Sequence, residues 1–223
     1  VTLAADTVAD ILGTDTNTNF PNANVVMGTD GDDTITGTSG SDLIASFGGT
    51  DTVNALAGND KILGGAGVDT LNGGDDNDHL YGYAGADTLN GNAGDDLIYG
   101  GKDDDTIDGD AGDDSLYGEA GDDTLNSGLG SDTLNGGLGD DTINIDGSGN
   151  KTIDGGAGTD TLDIDYSGIS NLGNFEISTS SDSLVLTDSN SSIAFRRISN
   201  LIVDNYTYIR VQTDKASSPE DEE

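Results

Sequence analysis

Thirteen aspartates stand nine residues apart without a gap: Asp33, Asp42, Asp51, Asp60, Asp69, Asp78, Asp87, Asp96, Asp105, Asp114, Asp123, Asp132 and Asp141. Two residues after each comes an aliphatic side chain, from Ile35, Ile44 and Val53 through to Leu134 and Ile143. Composition alone does not produce so strict a period, so the middle of the chain is one small unit repeated and stacked. Each unit delivers a carboxylate to the same address, which is the layout of a metal array.

With the aspartate at position 6 of nine, units run from residues 28–36 to 136–144. Ile145 is then inserted, a degenerate unit spans 146–154, and a regular one spans 155–163. Position 4 is Gly in thirteen of these fifteen units, Asp76 and Asp103 being the exceptions, and position 1 is usually Gly. Glycines at positions 1 and 4 allow backbone angles that other residues avoid and expose carbonyls. Positions 1 to 6 are therefore expected to form a turn. Positions 7 to 9 are expected to form a three-residue strand, with the middle aliphatic inward and its neighbours outward. Two units then make one coil, with a strand on each side and a turn at each end. At the strand spacing of about 4.8 Å, this gives roughly seven coils and a rod on the order of 36 Å long.

These units resemble the GGxGxDxUx nonapeptides of the RTX (repeats-in-toxin) family, and the resemblance covers residues 28–163. It implies an all-β chain folded as a right-handed parallel β-roll, a two-sheet β-solenoid of 18 residues per coil with a C-terminal β cap. It also implies Ca²⁺ bound within the turns. Members of the family are secreted bacterial toxins, proteases, lipases, epimerases, adhesins and S-layer proteins. The resemblance thus points to a secreted, extracellular or cell-surface location and to the type I secretion machinery as a partner.

The chemistry of the repeat agrees with calcium. Aspartates 18 apart, such as Asp33 and Asp51, fall on one edge of the coil stack. Carboxylates stacked at about 5 Å repel by roughly 1 kcal/mol in water and several times more in a partly dry turn. A hard cation between the turns reverses the sign. Ca²⁺ accepts six to eight oxygens in loose geometry, whereas Mg²⁺ demands a tight octahedron and holds its water. Zinc prefers His or Cys, and the chain has one histidine, His79, and no cysteine. The candidate ligands are the thirteen aspartates and Asp160 of the last unit. One ion per stacked pair of turns gives about eleven sites. Lys151 takes position 6 of the fourteenth unit, so the ladder of even-numbered units is expected to end with the Asp114/Asp132 site. On the odd edge Asp141 and Asp160 are 19 apart, so that site either keeps its link through a bulge or is lost.

The formal net charge of −36 excludes nucleic acid, whose phosphates need a basic stripe, and disfavours an anionic membrane surface. No run of 18 apolar residues exists to span a bilayer. Low hydrophobicity with high charge normally means disorder; set against the period, it suggests a chain that stays unfolded until the acid is neutralised. The start at Val1, with no visible signal peptide, is expected of a piece of a longer protein.

The outward positions differ between the two kinds of unit. Odd units carry Thr at position 7 throughout and mostly Asn at position 9, as in Asn54, Asn72 and Asn90. That face either packs as Thr ranks and Asn ladders or binds ice, a glycan or a cell surface. Even units carry a tyrosine ladder, Tyr81, Tyr99 and Tyr117, which either shields the sheet or receives sugars.

Residues 1–27 are expected to cap the first coil, and 164–213 to form capping β-strands at 175–177, 184–186, 193–195, 201–203 and 206–211. Residues 214–223 are expected to be a disordered acidic tail. None of HExxH, GxSxG or GxxxxGK[ST] occurs, and no catalytic constellation stands out, so an enzyme is not expected within this chain, although its parent could be one.

Overall fold

A computed structural model describes residues 24–164 and four strands at 176–180, 183–187, 192–196 and 200–203. The expected N-terminal cap before residue 24, the strand at 206–211 and the tail lie outside the described residues. Strands are numbered in chain order. Odd numbers form one sheet: β1 (Asn24–Thr29), β3 (Asp42–Gly48), β5 (Lys61–Ala66), β7 (His79–Ala84), β9 (Leu97–Lys102), β11 (Ser115–Ala120), β13 (Thr133–Leu138) and β15 (Lys151–Ala157). Even numbers form the other: β2 (Thr34–Thr36), β4 (Thr52–Ala57), β6 (Thr70–Asp75), β8 (Thr88–Ala93), β10 (Thr106–Asp108), β12 (Thr124–Asn126), β14 (Thr142–Ile145) and β16 (Thr161–Ile164).

Within each of these runs every neighbour pair is parallel and in register, Ile44 beside Ile62 and Thr52 beside Thr70, so one coil returns after 18 residues. The chain is therefore an all-β, two-sheet β-solenoid of about eight coils, and no helix occurs among the described residues. At the C-terminal end β19 (Ser192–Arg196) pairs parallel with β15, and β20 (Asn200–Val203) pairs with β16. An antiparallel hairpin, β17 (Glu176–Ser180) and β18 (Ser183–Thr187), closes the edge of the first sheet beyond β19. Four of the five expected capping strands are thus present, and they continue both sheets.

The core is a single file. The position-8 aliphatics of both sheets, from Ile35 to Leu162, meet between the sheets, and most are fully buried. Ala55, Ile145 and Ile164 complete it.

Two expectations about the unit are corrected. Most strands run six residues, as in β6, because positions 1 to 3 of the next unit continue the ladder around a bend. The turn proper is positions 4 to 6. The left-handed angles also fall differently: positions 2 and 4 have positive φ, as in Gly65 (φ 116) and Gly67 (φ 125), and position 1 does not. Position 2 tolerates other residues at a cost, with Phe47, Leu56, Tyr83, Asn92, Asp110 and Glu119 all forced to positive φ. Asp76 and Asp103 at position 4 are held at φ 76 and 73.

Position 1 is glycine for lack of space. A Cβ at Gly82 would lie 2.5 Å from Asp87 Oδ2 and 2.5 Å from the Gly100 carbonyl of the next coil. The insertion at Ile145 is absorbed at the corner before the turn. Ile145 is buried and pairs with Ile164, Gly128 N–H donates to Asp146 Oδ1, and pairing resumes at Thr133 beside Thr152.

The outward ladders form as expected. Tyr81, Tyr99 and Tyr117 stack with ring centroids 5.3 and 4.8 Å apart and nearly parallel planes. Their faces cover one another. On the opposite sheet the Asn72 amide donates to Asn54 Oδ1 at 3.0 Å and that of Asn90 to Asn72 at 2.8 Å.

Candidate metal centre

Each turn places its position-6 aspartate inside the corner of the coil. From Asp42 to Asp141 and at Asp160 these side chains are at most 2% exposed. One oxygen is accounted for by the fold. The N–H of each aspartate from Asp33 to Asp123 donates to Oδ1 of the aspartate one coil on: Asp33 to Asp51 at 2.8 Å, Asp60 to Asp78 at 2.7 Å, Asp87 to Asp105 at 2.8 Å. The link between Asp141 and Asp160 survives the insertion at 3.1 Å. The sequence brings these carboxylates together as expected, in two rows on opposite edges.

The other oxygen is not accounted for. Oδ2 of Asp51, Asp69, Asp87, Asp105, Asp123 and Asp141 on the odd edge is buried without a hydrogen-bond partner. So is Oδ2 of Asp60, Asp78, Asp96 and Asp114 on the even edge. Buried polar atoms are almost always satisfied, so two rows of orphaned acceptors point to a cation.

Three members of the series differ. At the N-terminal end the Thr29 N–H donates to Asp33 Oδ2 and the Thr38 N–H to Asp42 Oδ2, both at 2.6 Å. At the other end of the even edge, Oδ2 of Asp132 is paired with the Nζ of Lys151.

Electrostatics agrees. Burial, with like charge from stacked neighbours adding to it, pushes the carboxyl of Asp78 up to about 8 and those of Asp60, Asp87, Asp105 and Asp114 up to about 7. Asp96, Asp123 and Asp141 rise to about 6, again chiefly through burial. The Oδ1 hydrogen bonds from the backbone oppose the rise and do not cancel it. At neutral pH Asp78 is chiefly protonated, the groups near 7 are about half protonated and those near 6 are mostly ionised, and a cation competes for these oxygens with the protons.

The donor set decides which cation. Among the described residues no three acidic or histidine side chains converge. Each Oδ2 instead faces backbone, as where Asp87 Oδ2 and the Gly100 carbonyl flank the Cα of Gly82. The ammonium of Lys151 marks one cation position directly: it touches Asp132 Oδ2 and donates a second hydrogen bond to the Gly128 carbonyl at 2.7 Å. Carboxylate plus carbonyl oxygens suit Ca²⁺ and do not suit zinc.

A second ladder escaped the sequence reading. At position 5, the N–H of Asp113 donates to Asp95 Oδ1 at 2.9 Å and that of Asp122 to Asp104 Oδ1 at 2.9 Å. These bonds run toward the previous coil, opposite to those of position 6. The residue there varies among Asp, Asn, Ser, Thr, Val and Ala, so no period announced it.

The comparisons with known proteins fall in line with this geometry. The family model of the RTX calcium-binding nonapeptide repeat (4 copies) matches residues 20–46, 27–62, 46–80, 81–116, 108–143 and 145–163. No curated protein sequence matches the chain. Among solved structures, the extracellular lipase LipA from Serratia marcescens is similar at 17% identity with a TM-score of 0.32. That match covers 83% of this chain and 40% of the lipase chain, so the chain spans well under half of that protein's length. RTX repeats bind Ca²⁺, and the family model covers more than half of the residues here, so this chain belongs to the RTX calcium-binding nonapeptide repeat family.

Proposed function

We propose that residues 28–163 are a calcium-dependent folding module of a secreted bacterial protein, with the position-6 aspartates as its side-chain ligands. The observation that carries this is the double row of buried Oδ2 atoms without a hydrogen-bond partner. Oδ2 of each aspartate would bind the ion together with turn carbonyls, and bound Ca²⁺ supplies the positive charge that lets acidic turns stack. The number of ions is on the order of ten, since sites are shared between consecutive turns.

The mechanism is coupled folding. Without a cation, closing each turn leaves a carboxylate desolvated and repelled by its neighbours. The chain then stays expanded, a state suited to export through a narrow channel such as that of the type I secretion machinery. Outside the cell, calcium at about 10⁻⁴–10⁻³ M meets sites of matching affinity, and binding energy becomes folding energy. The strands that extend both sheets beyond β15 and β16 serve as the C-terminal cap. The module carries no chemistry of its own in this reading; it is an accessory to whatever domain it is joined to.

The amides of Asn72 and Asn90 are engaged along their own ladder, which supports a packing role for the Thr–Asn face over ice or glycan binding. The mutual stacking of Tyr81, Tyr99 and Tyr117 likewise supports a shielding role, since their facing ring surfaces are taken up by one another.

Circular dichroism during a calcium titration tests the proposal. The expected outcome is a disordered spectrum in chelator that converts cooperatively to a β spectrum at about 10⁻⁴–10⁻³ M calcium, with no conversion by magnesium at the same concentration. A β spectrum that persists unchanged in excess chelator would sink the coupled-folding mechanism.

A further inference from the structure

The even edge is closed at both ends by groups of the chain itself. Its first aspartate, Asp42, receives the N–H of Thr38 on Oδ2. Its last, Asp132, receives the ammonium of Lys151. Between them Oδ2 of Asp60, Asp78, Asp96 and Asp114 has no protein partner.

Lys151 stands where the next aspartate of the row belongs. Thr152, the residue after it, pairs with Thr133 as every position-7 residue pairs with its counterpart one coil away. The lysine side chain does not escape to solvent, as long cationic side chains ordinarily do. It turns inward, and both it and the Asp132 side chain are fully buried. An ammonium carries three N–H donors and no acceptor. Here it meets Asp132 Oδ2 and the Gly128 carbonyl, 2.7 Å away. One is the same carboxylate oxygen that is orphaned in the four preceding turns of the row, and the other is the position-2 carbonyl of the same repeat unit. Oδ1 of Asp132 keeps its ordinary role, accepting the Asp114 N–H at 3.0 Å. The turn thus keeps the Oδ1 link to the coil before it, and its Oδ2 meets an ammonium where those of the preceding turns have no hydrogen-bond partner.

We propose that the Lys151 ammonium is a tethered cation that fills the Asp132 site in place of a metal ion, so that the even-edge row of ions ends at Asp114 and its last two coils are joined without calcium. This rests on the reading of the array as calcium sites. The reason is substitution of like for like. An ammonium is a compact point charge, and it reaches the site on a stem already anchored in the adjoining coil. It cannot be diluted away, so this junction holds its counter-charge at any calcium concentration.

The test uses the whole chain crystallised with calcium, with anomalous diffraction to locate the ions, and native mass spectrometry to count them. The expected map has calcium beside Asp60, Asp78, Asp96 and Asp114 and none between Asp132 and Lys151, whose Nζ stays on Asp132. The Lys151→Asp variant is expected to bind one more ion than the unaltered chain, at Asp132. Calcium beside Asp132 in the unaltered chain, with Lys151 displaced, overturns the proposal. An equal ion count for a folded Lys151→Asp variant also overturns it. If that variant fails to fold, the map of the unaltered chain still decides. A chain that binds no calcium anywhere refutes the reading of the array itself, a different result from calcium in the wrong turn.

Discussion

At the scale of single residues, the turn asks for glycine at three places for two different reasons. Positions 2 and 4 need a left-handed backbone, whereas position 1 is crowded and in the regular units takes, besides glycine, only the small Ser46, Ala55 and Ser127. The two requirements predict opposite results. Asp76→Gly removes a strained φ of 76 and a negative charge that acts on Asp60 and Asp78. It is expected to stabilise the calcium-loaded chain by about 1 kcal/mol. Gly82→Ala drives a methyl group between Asp87 Oδ2 and the Gly100 carbonyl, and is expected to destabilise by about 1–3 kcal/mol. Thermal melts in calcium check both, with the first melting higher and the second lower than the parent chain. The sequence located the aspartates that the fold gathers into two buried rows and the special backbone at position 4, and it missed the reason for glycine at position 1, because φ and close approach leave the same letter. It also marked Lys151 as a break in the row. That the side chain turns back to fill the turn before it depends on reach across coils, which spacing along the chain does not encode.

At the scale of strands and coils, stability is local. A coil touches the coil before and the coil after through hydrogen-bonded ladders and through one file of aliphatics. Leu89 is fully buried within that file, and Leu89→Ala is expected to cost about 2–5 kcal/mol. In a one-dimensional stack the loss falls on nearest neighbours. Hydrogen exchange in calcium is therefore expected to show lost protection in β8 and in the adjoining β6 and β10, with little change at β3 or β15. Uniform loss along the whole roll would show that the coils are not independent units. Most of this level was legible from the period, since two units per coil, the inward aliphatic, and the Asn and Tyr ladders all follow from nine and eighteen. The six-residue strands were not, because glycine-rich positions 1 to 3 read as turn while their backbone continues the ladder past a bend.

At the scale of the whole molecule, protons and calcium compete for the same oxygens. Burial pushes the carboxyls of Asp60, Asp78, Asp87, Asp96, Asp105, Asp114, Asp123 and Asp141 up to about 6 to 8, well above the value of 3.8 for a free carboxyl. A folded-state value raised in this way means that protonation favours the folded form. That contribution is complete below about pH 4, and it disappears as the pH rises through 6 to 8. The metal-free chain is thus expected to be most ordered in acid and least ordered above pH 8. Calcium must displace the protons, so its apparent affinity is expected to weaken as the pH falls from 8 to 6. Titration calorimetry in two buffers of different ionisation enthalpy measures the protons released. A calcium affinity flat across that range would contradict the buried, proton-holding sites.

The in-register pairing of each strand from β1 to β12 with the one 18 residues on also bears on how such a chain can change length. Removing residues 82–99 would leave Asp78 followed, in step, by Gly100 at position 1, with one strand fewer in each sheet and every ladder intact. Removing only 82–90 would exchange the two kinds of unit downstream, delivering Tyr99 into the row of Asn72 and the later Thr–Asn strands into the tyrosine sheet. Insertions and deletions are therefore tolerated in whole coils and penalised in half coils. A lineage of such rods is free to vary in length only in steps of two repeats.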